Sequence, residues 1–318
     1  MSTHQMHYAG GPLDRAGHRR KDEQWIQAQL EQNGTRFIPV WRGSSLMQIG
    51  KPGRSTSEPR ICSRSEIGKV MDLSVQTTFL GMGHRTPYFA VDLSNGVEEN
   101  VADQLNGIFV DLRLAGQHME PENAALLAYA RGMLHWHRSH QYCSQCGTKS
   151  DSRNGGHMRA CPEANCARET YPRTDPAVIM LVEHIPADGG APVCLMGSHR
   201  RLPTRVFSTL AGFVEPGESL EEAVTREVLE EVNVIVDDVR YEASQPWPFP
   251  SSIMLGFYAR AVTTDIEVDD DELSSARWFT SEEIRAAGDW GDDSADIQLP
   301  RKDSIARHLI NTWLERQP

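Results

Sequence analysis

The stretch that decides the fold runs from Gly212 to Val234 and reads GFVEPGESLEEAVTREVLEEVNV. Within it, Ser219 is followed three residues later by Glu222, which is the pattern of a capping box. We therefore expect a helix to begin just after Ser219. Apolar residues at Val228 and Val234 accompany the acidic positions of this segment. The stretch predicts a loop that leads into a strongly acidic helix.

Three carboxylates are crowded onto one face of this predicted helix. Because each helical residue turns by about 100°, Glu227, Glu230 and Glu231 fall within a narrow arc. Like charges at these spacings repel each other and destabilise a bare helix. A cation among them would explain the crowding, and oxygen ligands of this kind suit Mg²⁺ or Mn²⁺. The alternative is a solvated acidic helix face without a metal.

The whole stretch resembles the Nudix box, G-x5-E-x7-R-E-U-x-E-E-x-G-U, in which U is a bulky aliphatic residue. The resemblance implies a hydrolase that uses divalent metal ions to cleave a nucleoside diphosphate linked to another group. It also implies an α/β/α sandwich, with Glu218 and Arg226 supporting the carboxylates of the helix. The positions that carry the match are Gly212, Glu218, Arg226, Glu227, Val228, Glu230, Glu231 and Val234.

One position departs from the box, because Asn233 stands where the family usually has glycine. This position ends the helix, where a left-handed backbone conformation is wanted. Asparagine is the non-glycine residue that best tolerates that conformation. We therefore expect a small loss of stability and an intact site.

A further acidic residue, Glu272, lies in the segment DDEL and matches a family glutamate that approaches the metals. The resemblance makes it a second candidate for metal ligand or general base. The alternative is that Glu272 is one more charge in the acidic run from Asp269 to Glu272. The residues alone leave both interpretations open.

The second motif, SQPWPFPSS, runs from Ser244 to Ser252. Its alternating prolines cannot form a helix or a central strand, and they favour a stiff extended segment that fixes two aromatic rings. The segment could be a rigid surface loop. It is similar, however, to the SQPWPFPxS signature of the NADH pyrophosphatases (NudC-type enzymes), which separates that family from most other Nudix hydrolases.

The third motif consists of two closely spaced cysteine pairs, Cys143 with Cys146 and Cys161 with Cys166. Four thiolates across a short loop fit a structural zinc site. Disulfides or a redox pair are the alternatives, but the N-terminus shows no export signal and a redox pair would not need the second two cysteines. The NADH pyrophosphatase resemblance also implies a zinc ribbon here. The second pair is spaced more widely than is usual in that family.

Histidines at positions 135, 137 and 140 precede the cysteines. As zinc ligands they would compete with the four thiolates. We expect them instead to form a polar helix end.

Composition favours a cytoplasmic enzyme with two or three domains. The chain has 318 residues and a net charge of −12, which argues against a general nucleic-acid-binding surface but not against acting on an RNA end. No segment is apolar enough to span a membrane. The resemblance divides the chain into three parts: residues 1–138 form an N-terminal Nudix-like α+β domain without the box, 139–172 the zinc ribbon, and 173–318 the catalytic Nudix domain.

Local patterns predict the main secondary structure on either side of the cysteines. We expect helices from Pro121 to His137 and from about Ser304 to Glu315. Strands are expected from the alternation and β-branched content of eight short segments. These are Arg36–Trp41, Val75–Leu80, Tyr88–Leu93, Ala177–Glu183, Val193–Gly197, Val206–Leu210, Ile253–Ala261 and Ala276–Phe279.

The family resemblance also implies how a dinucleotide is held. Phe213 matches the family's stacking phenylalanine, and Tyr171 matches a tyrosine that the family brings from the partner subunit, which implies a homodimer. By composition alone, Phe213 and Trp247 could equally be core residues. The other positions that match substrate-lining residues are Gln245, Trp247, Ser252 and Ala306.

These observations predict hydrolysis of NADH or NAD⁺ to AMP and (reduced) nicotinamide mononucleotide. An NAD cap on RNA offers the same bond, and the motifs do not choose between the two substrates. A third interpretation is a zinc-ribbon binding protein with an inactive Nudix domain. Such proteins usually lose glutamates of the box, and this chain keeps all of them.

Overall fold

The structure is a computed structural model of the chain that describes residues 6–50, 58–201, 203, 205–269 and 271–317. These residues form two compact units. The N-terminal unit comprises residues 8–174 together with 247–251, and the C-terminal unit comprises 6–7, 175–246 and 252–317. Within the described part of the chain, no helix is long and apolar enough to cross a membrane.

A six-stranded mixed sheet forms the centre of the N-terminal unit. Its strands are β1 (Arg36–Trp41), β2 (Ser44–Gln48), β3 (Cys62–Ser63), β4 (Gln76–Gly83), β5 (Thr86–Asp92) and β6 (Gly107–Val110). The order is β4-β5-β1-β2-β6, and β3 pairs with β1 as well. The central strands β1 and β5 are parallel, and the other pairs are antiparallel. The predicted strands of this region are confirmed to within a few residues.

In the part of this unit that the structure describes, five α-helices accompany the sheet: α1 (Glu23–Glu31), α2 (Arg64–Ile67), α3 (Glu98–Leu105), α4 (Leu112–Ala115) and α5 (Pro121–Ser139). The predicted helix from Pro121 is confirmed as α5, with proline in its first turn. Its apolar residues Leu126, Ala130 and Leu134 are buried in the core against the sheet.

The cysteine-rich segment also belongs to the N-terminal unit. It forms a three-stranded antiparallel sheet of β7 (Asp151–Arg153), β8 (Met158–Ala160) and β9 (Glu169–Thr170). Its turn at Gly156, where φ is +90°, packs so tightly on Thr78 of β4 that a side chain would collide there. Hydrogen bonds from His157 to the carbonyl of Phe79 and from Gln76 to Ser152 add to this packing.

The C-terminal unit is built on a second six-stranded sheet. Its strands are β10 (Asp175–His184), β11 (Val193–His199), β12 (Leu210–Phe213), β13 (Val236–Trp247), β14 (Ser252–Ala261) and β15 (Leu273–Thr280), and its helices are α6 (Leu220–Val232), α7 (Ser281–Ala286) and α8 (Ile305–Glu315). One face packs on α6 through Val224 and Val228, and the other packs on α8 through Leu309 and Ile310. The expected α/β/α sandwich is therefore confirmed.

The two large sheets have the same topology. The second has the order β13-β14-β10-β11-β15, with β12 pairing β10, and its central strands β10 and β14 are parallel. If nine is subtracted from each strand number of the second sheet, the strand order of the first sheet results. In both sheets a capped helix follows the third strand. That helix, α2, is four residues long in the first sheet, whereas α6 has thirteen.

The C-terminal unit contradicts one strand expected from the sequence and agrees with the expected placement of the proline-rich segment. The strand predicted from Val206 to Leu210 is wrong, since Val206 and Ser208 make only isolated bridges and the strand begins at Leu210. The proline-rich segment is partly extended, because β13 continues to Trp247. This strand lies at the edge of its sheet, in agreement with the expectation that alternating prolines exclude a central position.

Candidate active site and metal centres

Helix α6 begins and ends as its sequence predicts. The Ser219 hydroxyl accepts a hydrogen bond from the backbone N–H of Glu222, whose carboxylate accepts one from the backbone N–H of Ser219. At the other end, Asn233 adopts the left-handed conformation with φ 57° and ψ 26°. Asparagine thus takes the role expected of glycine here, and the helix keeps its full length.

The glycine at the start of the box is required by the helix packed against it. Gly212 in β12 lies beside Glu227, and a β-carbon at position 212 would overlap the Glu227 carboxyl group. Glycine at this position therefore leaves the Glu227 carboxyl group room to lie directly against the strand. The close approach carries the Glu227 carboxyl group into the protein, where the residue is only 8% exposed.

Arg226 organises the loop and the helix around its guanidinium group. Its Nε and Nη2 donate to the two oxygens of Glu218 at 2.8 and 2.7 Å. Its Nη1 donates to Glu227 at 2.8 Å and to Glu230 at 2.9 Å, and Nη2 also donates to the carbonyl of Phe213. These charge-assisted bonds hold the pKa of Glu218 down to about 2. Arg226 therefore fixes the loop before α6 as well as the carboxylates.

Two of the box carboxylates, Glu227 and Glu231, are buried. Glu231 is 5% exposed and accepts a hydrogen bond from the backbone N–H of Ala211. Burial, together with the nearby charges of Glu227 and Glu272, raises the pKa of Glu231 to about 8. Burial likewise raises the pKa of Glu227, although the Arg226 guanidinium opposes this shift. Both groups would be stabilised as anions by a nearby cation.

The remaining acidic candidates are exposed. The Glu230 side chain is 58% exposed and pairs with Arg226. Glu272 is exposed next to β15, and its charge acts on both buried glutamates. Asp269 donates its backbone N–H to the carbonyl of Glu231, which ties this segment to α6. Asp270, also part of the predicted acidic run, lies outside the described residues.

Among the described residues, the acidic side chains around α6 are near each other but do not converge on a single point. In the described ranges, only the four cysteines form a group of three or more metal-binding side chains with all ligand atoms within 4.8 Å. The donor set around α6 nevertheless fits a hard divalent cation: it is made only of oxygens, and its two buried carboxylates repel each other. A bound cation would draw Glu227 and Glu230 away from their shared contact with Arg226.

The four cysteines are arranged as a zinc site requires. The Sγ atoms of Cys143 and Cys166 are 3.6 Å apart, and those of Cys146 and Cys161 are 3.4 Å apart. A tetrahedral site with Zn–S bonds of about 2.3 Å needs sulfur atoms separated by about 3.8 Å. The wider spacing of the second pair therefore does not prevent Cys166 from joining the cluster. All described cysteines are free, which excludes the disulfide alternative in this structure.

His137 lies in the last turn of α5 and makes polar contacts there, as expected, but it is buried and not at a solvated helix end. The residue is 2% exposed, and its Nε2 donates to the carbonyl of Gly156 while Nδ1 accepts from Arg159. These partners require the neutral ring, and burial lowers the pKa of His137 to about 4.

The two aromatic residues expected to stack on a base are both exposed. Phe213, at the end of β12, is 61% exposed, and its carbonyl oxygen accepts the bond from Arg226. Tyr171 follows β9 in the N-terminal unit, is 49% exposed and donates its hydroxyl to Glu169. Neither ring belongs to a core, which removes the alternative of a core role for Phe213.

Gln245 and Ala306 lie near the start of α8. Gln245 is fully buried, and its amide donates to the carbonyls of His7 and Asp303 and accepts from the backbone N–H of Ile305. Ala306 is 5% exposed in the core on this side of the sheet. Gln245 therefore supports the N-terminus of α8 in this structure.

Ser252 and Trp247 flank the turn of the proline-rich motif. Ser252 is half-buried at the start of β14. The Trp247 ring packs edge-on against Tyr8 and Phe249, with centroid separations of 5.9 and 5.1 Å. Arg131 and Arg113 donate to the carbonyls of Pro248 and Phe249, so the segment is fixed to the core of the N-terminal unit.

Comparison with known protein families matches most of the chain. The NUDIX domain matches residues 175–297, the NADH pyrophosphatase-like rudimentary NUDIX domain matches 34–136, and the NADH pyrophosphatase zinc ribbon domain matches 138–171. The second match agrees with the repeated sheet topology, in which the first copy keeps only a short helix.

Curated relatives agree with these family matches. NAD-capped RNA hydrolase NUDT12 of Homo sapiens is 33% identical over 96% of this chain and 72% of its own length. NAD-capped RNA hydrolase NudC of Mycobacterium bovis is 41% identical over 64% of each chain. Among solved structures, a NUDIX hydrolase from Nitrosomonas europaea shares 28% identity over 45% of this chain and 80% of its own, with a TM-score of 0.36.

Proposed function

The chain belongs to the NADH pyrophosphatase family of Nudix hydrolases, and we propose that it hydrolyses the diphosphate bond of NADH and NAD⁺. The products are AMP and (reduced) nicotinamide mononucleotide. The names of the relatives support the same reaction at NAD-capped RNA, which would leave a 5′-monophosphate end.

The observation that carries this proposal is the pair of buried carboxylates, Glu227 and Glu231, beside the Glu218–Arg226 pair. Burying two mutually repelling acids as anions destabilises a protein, and a divalent cation between them would offset this cost. A structural role alone would not require this arrangement. An inactive domain would have no reason to keep it, which argues against a binding-only role.

Divalent ions, Mg²⁺ or Mn²⁺, held by Glu227, Glu230, Glu231 and Glu272 would neutralise the diphosphate and make the attacking water more acidic. Arg226 keeps Glu218 ionised and holds the carbonyl of Phe213, which orients the start of the loop. Water adds to one phosphorus atom, and the bridging oxygen leaves with the other phosphate.

Recognition of the dinucleotide falls to the exposed Phe213 ring, since a flat base can stack on it. We propose that Tyr171 is supplied by the second subunit of a homodimer, because it is exposed and lies in the zinc-ribbon segment. The remaining proposed substrate-binding residues are Gln245, Trp247, Ser252 and Ala306.

We propose three functional domains, at residues 1–138, 139–172 and 173–318, with one structural zinc ion in the second. A cytoplasmic location agrees with this zinc site, since reduced thiols persist in reducing compartments.

The test is product analysis by chromatography with NADH and either Mg²⁺ or Mn²⁺. The wild type should release AMP and reduced nicotinamide mononucleotide, and Glu231→Gln should release almost none while keeping its fold. Retained activity in that variant would falsify the assignment of Glu231. Parallel turnover measurements on NADH, NAD⁺ and NAD-capped RNA would decide which substrate is preferred.

A further inference from the structure

The middle of the proline-rich motif, residues 247–251, forms a tight turn that belongs to the N-terminal unit. Within this turn, the backbone N–H of Phe249 donates to the carbonyl of Trp247 at 2.7 Å. The prolines at 248 and 250 have no N–H group and so cannot extend a strand ladder. The carbonyls of the turn therefore need hydrogen-bond donors from elsewhere in the unit.

Two arginines of the N-terminal unit supply these donors. Arg131 in α5 donates from Nη1 to the carbonyl of Pro248 at 2.6 Å. Arg113 in α4 donates from Nη2 to the carbonyl of Phe249 at 3.1 Å. The guanidinium carbon of each arginine also lies 5.1 Å from the centroid of the Phe249 ring, which is within the range of a cation–π contact. The turn is thus held both by its backbone and by its buried aromatic ring.

The surroundings of Arg131 are unfavourable for a cation. Burial lowers the pKa of its guanidinium group, and the charges of Arg113 and Arg138 act in the same direction, whereas Asp111 opposes them. Its Nε atom is buried without a hydrogen-bond partner among the described residues. An apolar side chain of similar length would avoid these costs. The stability of the core therefore does not explain an arginine at this position, whereas its bond to the turn does.

The turn bears on the proposed reaction through Trp247, which is a proposed substrate-binding residue. The Trp247 ring packs edge-on against the Phe249 ring at a centroid separation of 5.1 Å. Pro248 lies between these two residues, and its carbonyl is the one that Arg131 holds. A displacement of Pro248 would therefore move the Trp247 ring as well.

We propose that Arg131 is a positioning residue of the substrate-binding site: it holds the turn, and with it the Trp247 ring, in the orientation that receives the dinucleotide. Arg131 acts through the carbonyl of Pro248 and does not itself contact the substrate. This inference rests on the proposed function, because it explains how one of the proposed substrate-binding residues is held in place.

The test measures steady-state kinetics with NADH and Mg²⁺, together with melting temperatures, on full-length variants. Arg131→Met keeps an unbranched side chain but cannot donate to Pro248. We expect its KM to rise by about 3- to 10-fold and its kcat to change by less than about 2-fold. Its melting temperature should be unchanged or higher, because a buried charge is removed. Arg131→Lys keeps a charged donor and should restore part of the affinity.

Three further variants separate positioning from charge and from stability. Arg138→Met removes a neighbouring charge of the same helix and leaves the bond to Pro248 intact, so it should not change KM. Val101→Ala opens a small cavity in the other core of the same unit, so it should lower the melting temperature without raising KM. In a Trp247→Ala background, Arg131→Met should raise KM no further, because both changes act through the same ring.

A second measurement does not depend on catalysis. Hydrogen exchange of the peptide that spans residues 244–252, followed by mass spectrometry, should be faster in Arg131→Met than in the wild type and in Arg138→Met. Unchanged exchange in Arg131→Met would overturn the inference, and so would faster exchange with an unchanged KM. Equal increases of KM in Arg131→Met and Val101→Ala would also overturn it, since any loss of stability would then be sufficient.

Failure of the wild type to cleave NADH would overturn the proposed function alone. The affinities of the same variants for AMP and nicotinamide mononucleotide, measured by calorimetric titration, would then replace KM. Weaker binding in Arg131→Met than in Arg138→Met would support the positioning role, and equal binding would overturn it.

Discussion

Gly212 lies directly against the carboxyl group of Glu227, so that β12 and α6 meet where no side chain can fit. This contact buries Glu227 and places it above the strand that carries Phe213. The position of the Glu227 carboxylate therefore depends on this glycine.

Replacing this glycine should therefore remove activity without unfolding the unit. In Gly212→Ala the new β-carbon displaces the Glu227 carboxylate, and we expect kcat to fall by at least about 100-fold. Gly34→Ala is the control, because a β-carbon there meets no atom within 4 Å. Steady-state kinetics of both variants decide the matter, and near-normal kcat in Gly212→Ala would show that Glu227 is not required in its present position.

The guanidinium geometry of Arg226 should matter more than its charge. Arg226→Lys keeps the charge but cannot make the paired bonds to Glu218 together with those to Glu227, Glu230 and Phe213. We expect a loss of about 10- to 100-fold in kcat/KM with an unchanged circular dichroism spectrum.

A matched control for this change is Arg260→Lys. Arg260 makes the same paired bonds to Asp237, but on an exposed surface. Exposed ion pairs contribute little to the free energy of unfolding, so neither the activity nor the stability of Arg260→Lys should change measurably. Equal effects of the two lysine variants would contradict a special role for Arg226.

The zinc site should bind one ion per chain through all four cysteines. Cys166→Ser and Cys146→Ser should each lower the zinc content, measured by elemental mass spectrometry, and lower the melting temperature of the N-terminal unit. Cys62→Ala should keep the zinc, because Cys62 is buried in a different part of the core. Full zinc content in Cys166→Ser would remove this residue from the ligand set.

Acid should destabilise the fold through His137. Its pKa in the folded protein, about 4, is below the ordinary value of 6.5, because the ring is buried beside Arg159. The unfolded chain therefore binds more protons between these two values, and stability falls as the pH decreases from about 6.5 to about 4. Above that window the group has no effect on the pH dependence.

The difference between wild type and His137→Gln isolates this contribution. The variant has no titrating ring. When the pH is lowered from 7 to 4.5, the free energy of unfolding of the wild type should therefore fall by about 2 kcal/mol more than that of the variant. Denaturant titrations at both pH values measure this difference. A constant difference between the two proteins would show that His137 does not titrate as its burial requires.

The sequence predicted the parts of the site that follow local rules. The capping box at Ser219, the left-handed Asn233 and the cysteine cluster depend on short spacings, and the structure confirms each. The burial of His137 was missed because it depends on β8 and α5 meeting in space. The strand start at Leu210 was missed because Val206 and Phe207 have strand-forming side chains but no continuous partner strand.

The spacing of residues along the sequence also could not show that Arg226 bonds to two carboxylates of α6. Glu227 and Glu230 were expected to face a metal together, and in the ion-free structure the same guanidinium group bonds to both. Helical periodicity places side chains on a face but does not choose their partners. The choice depends on burial, which only the packing of α6 on the sheet determines.

The repeated sheet topology shows how much depends on the length of one helix. In both sheets a capping box starts the helix after the third strand, formed by Ser63 and Glu66 at α2 and by Ser219 and Glu222 at α6. Because α2 ends after four residues, it has no second or third turn on which an acidic face like that of α6 could form. Two sheets built alike therefore differ in the one element that carries the candidate metal ligands.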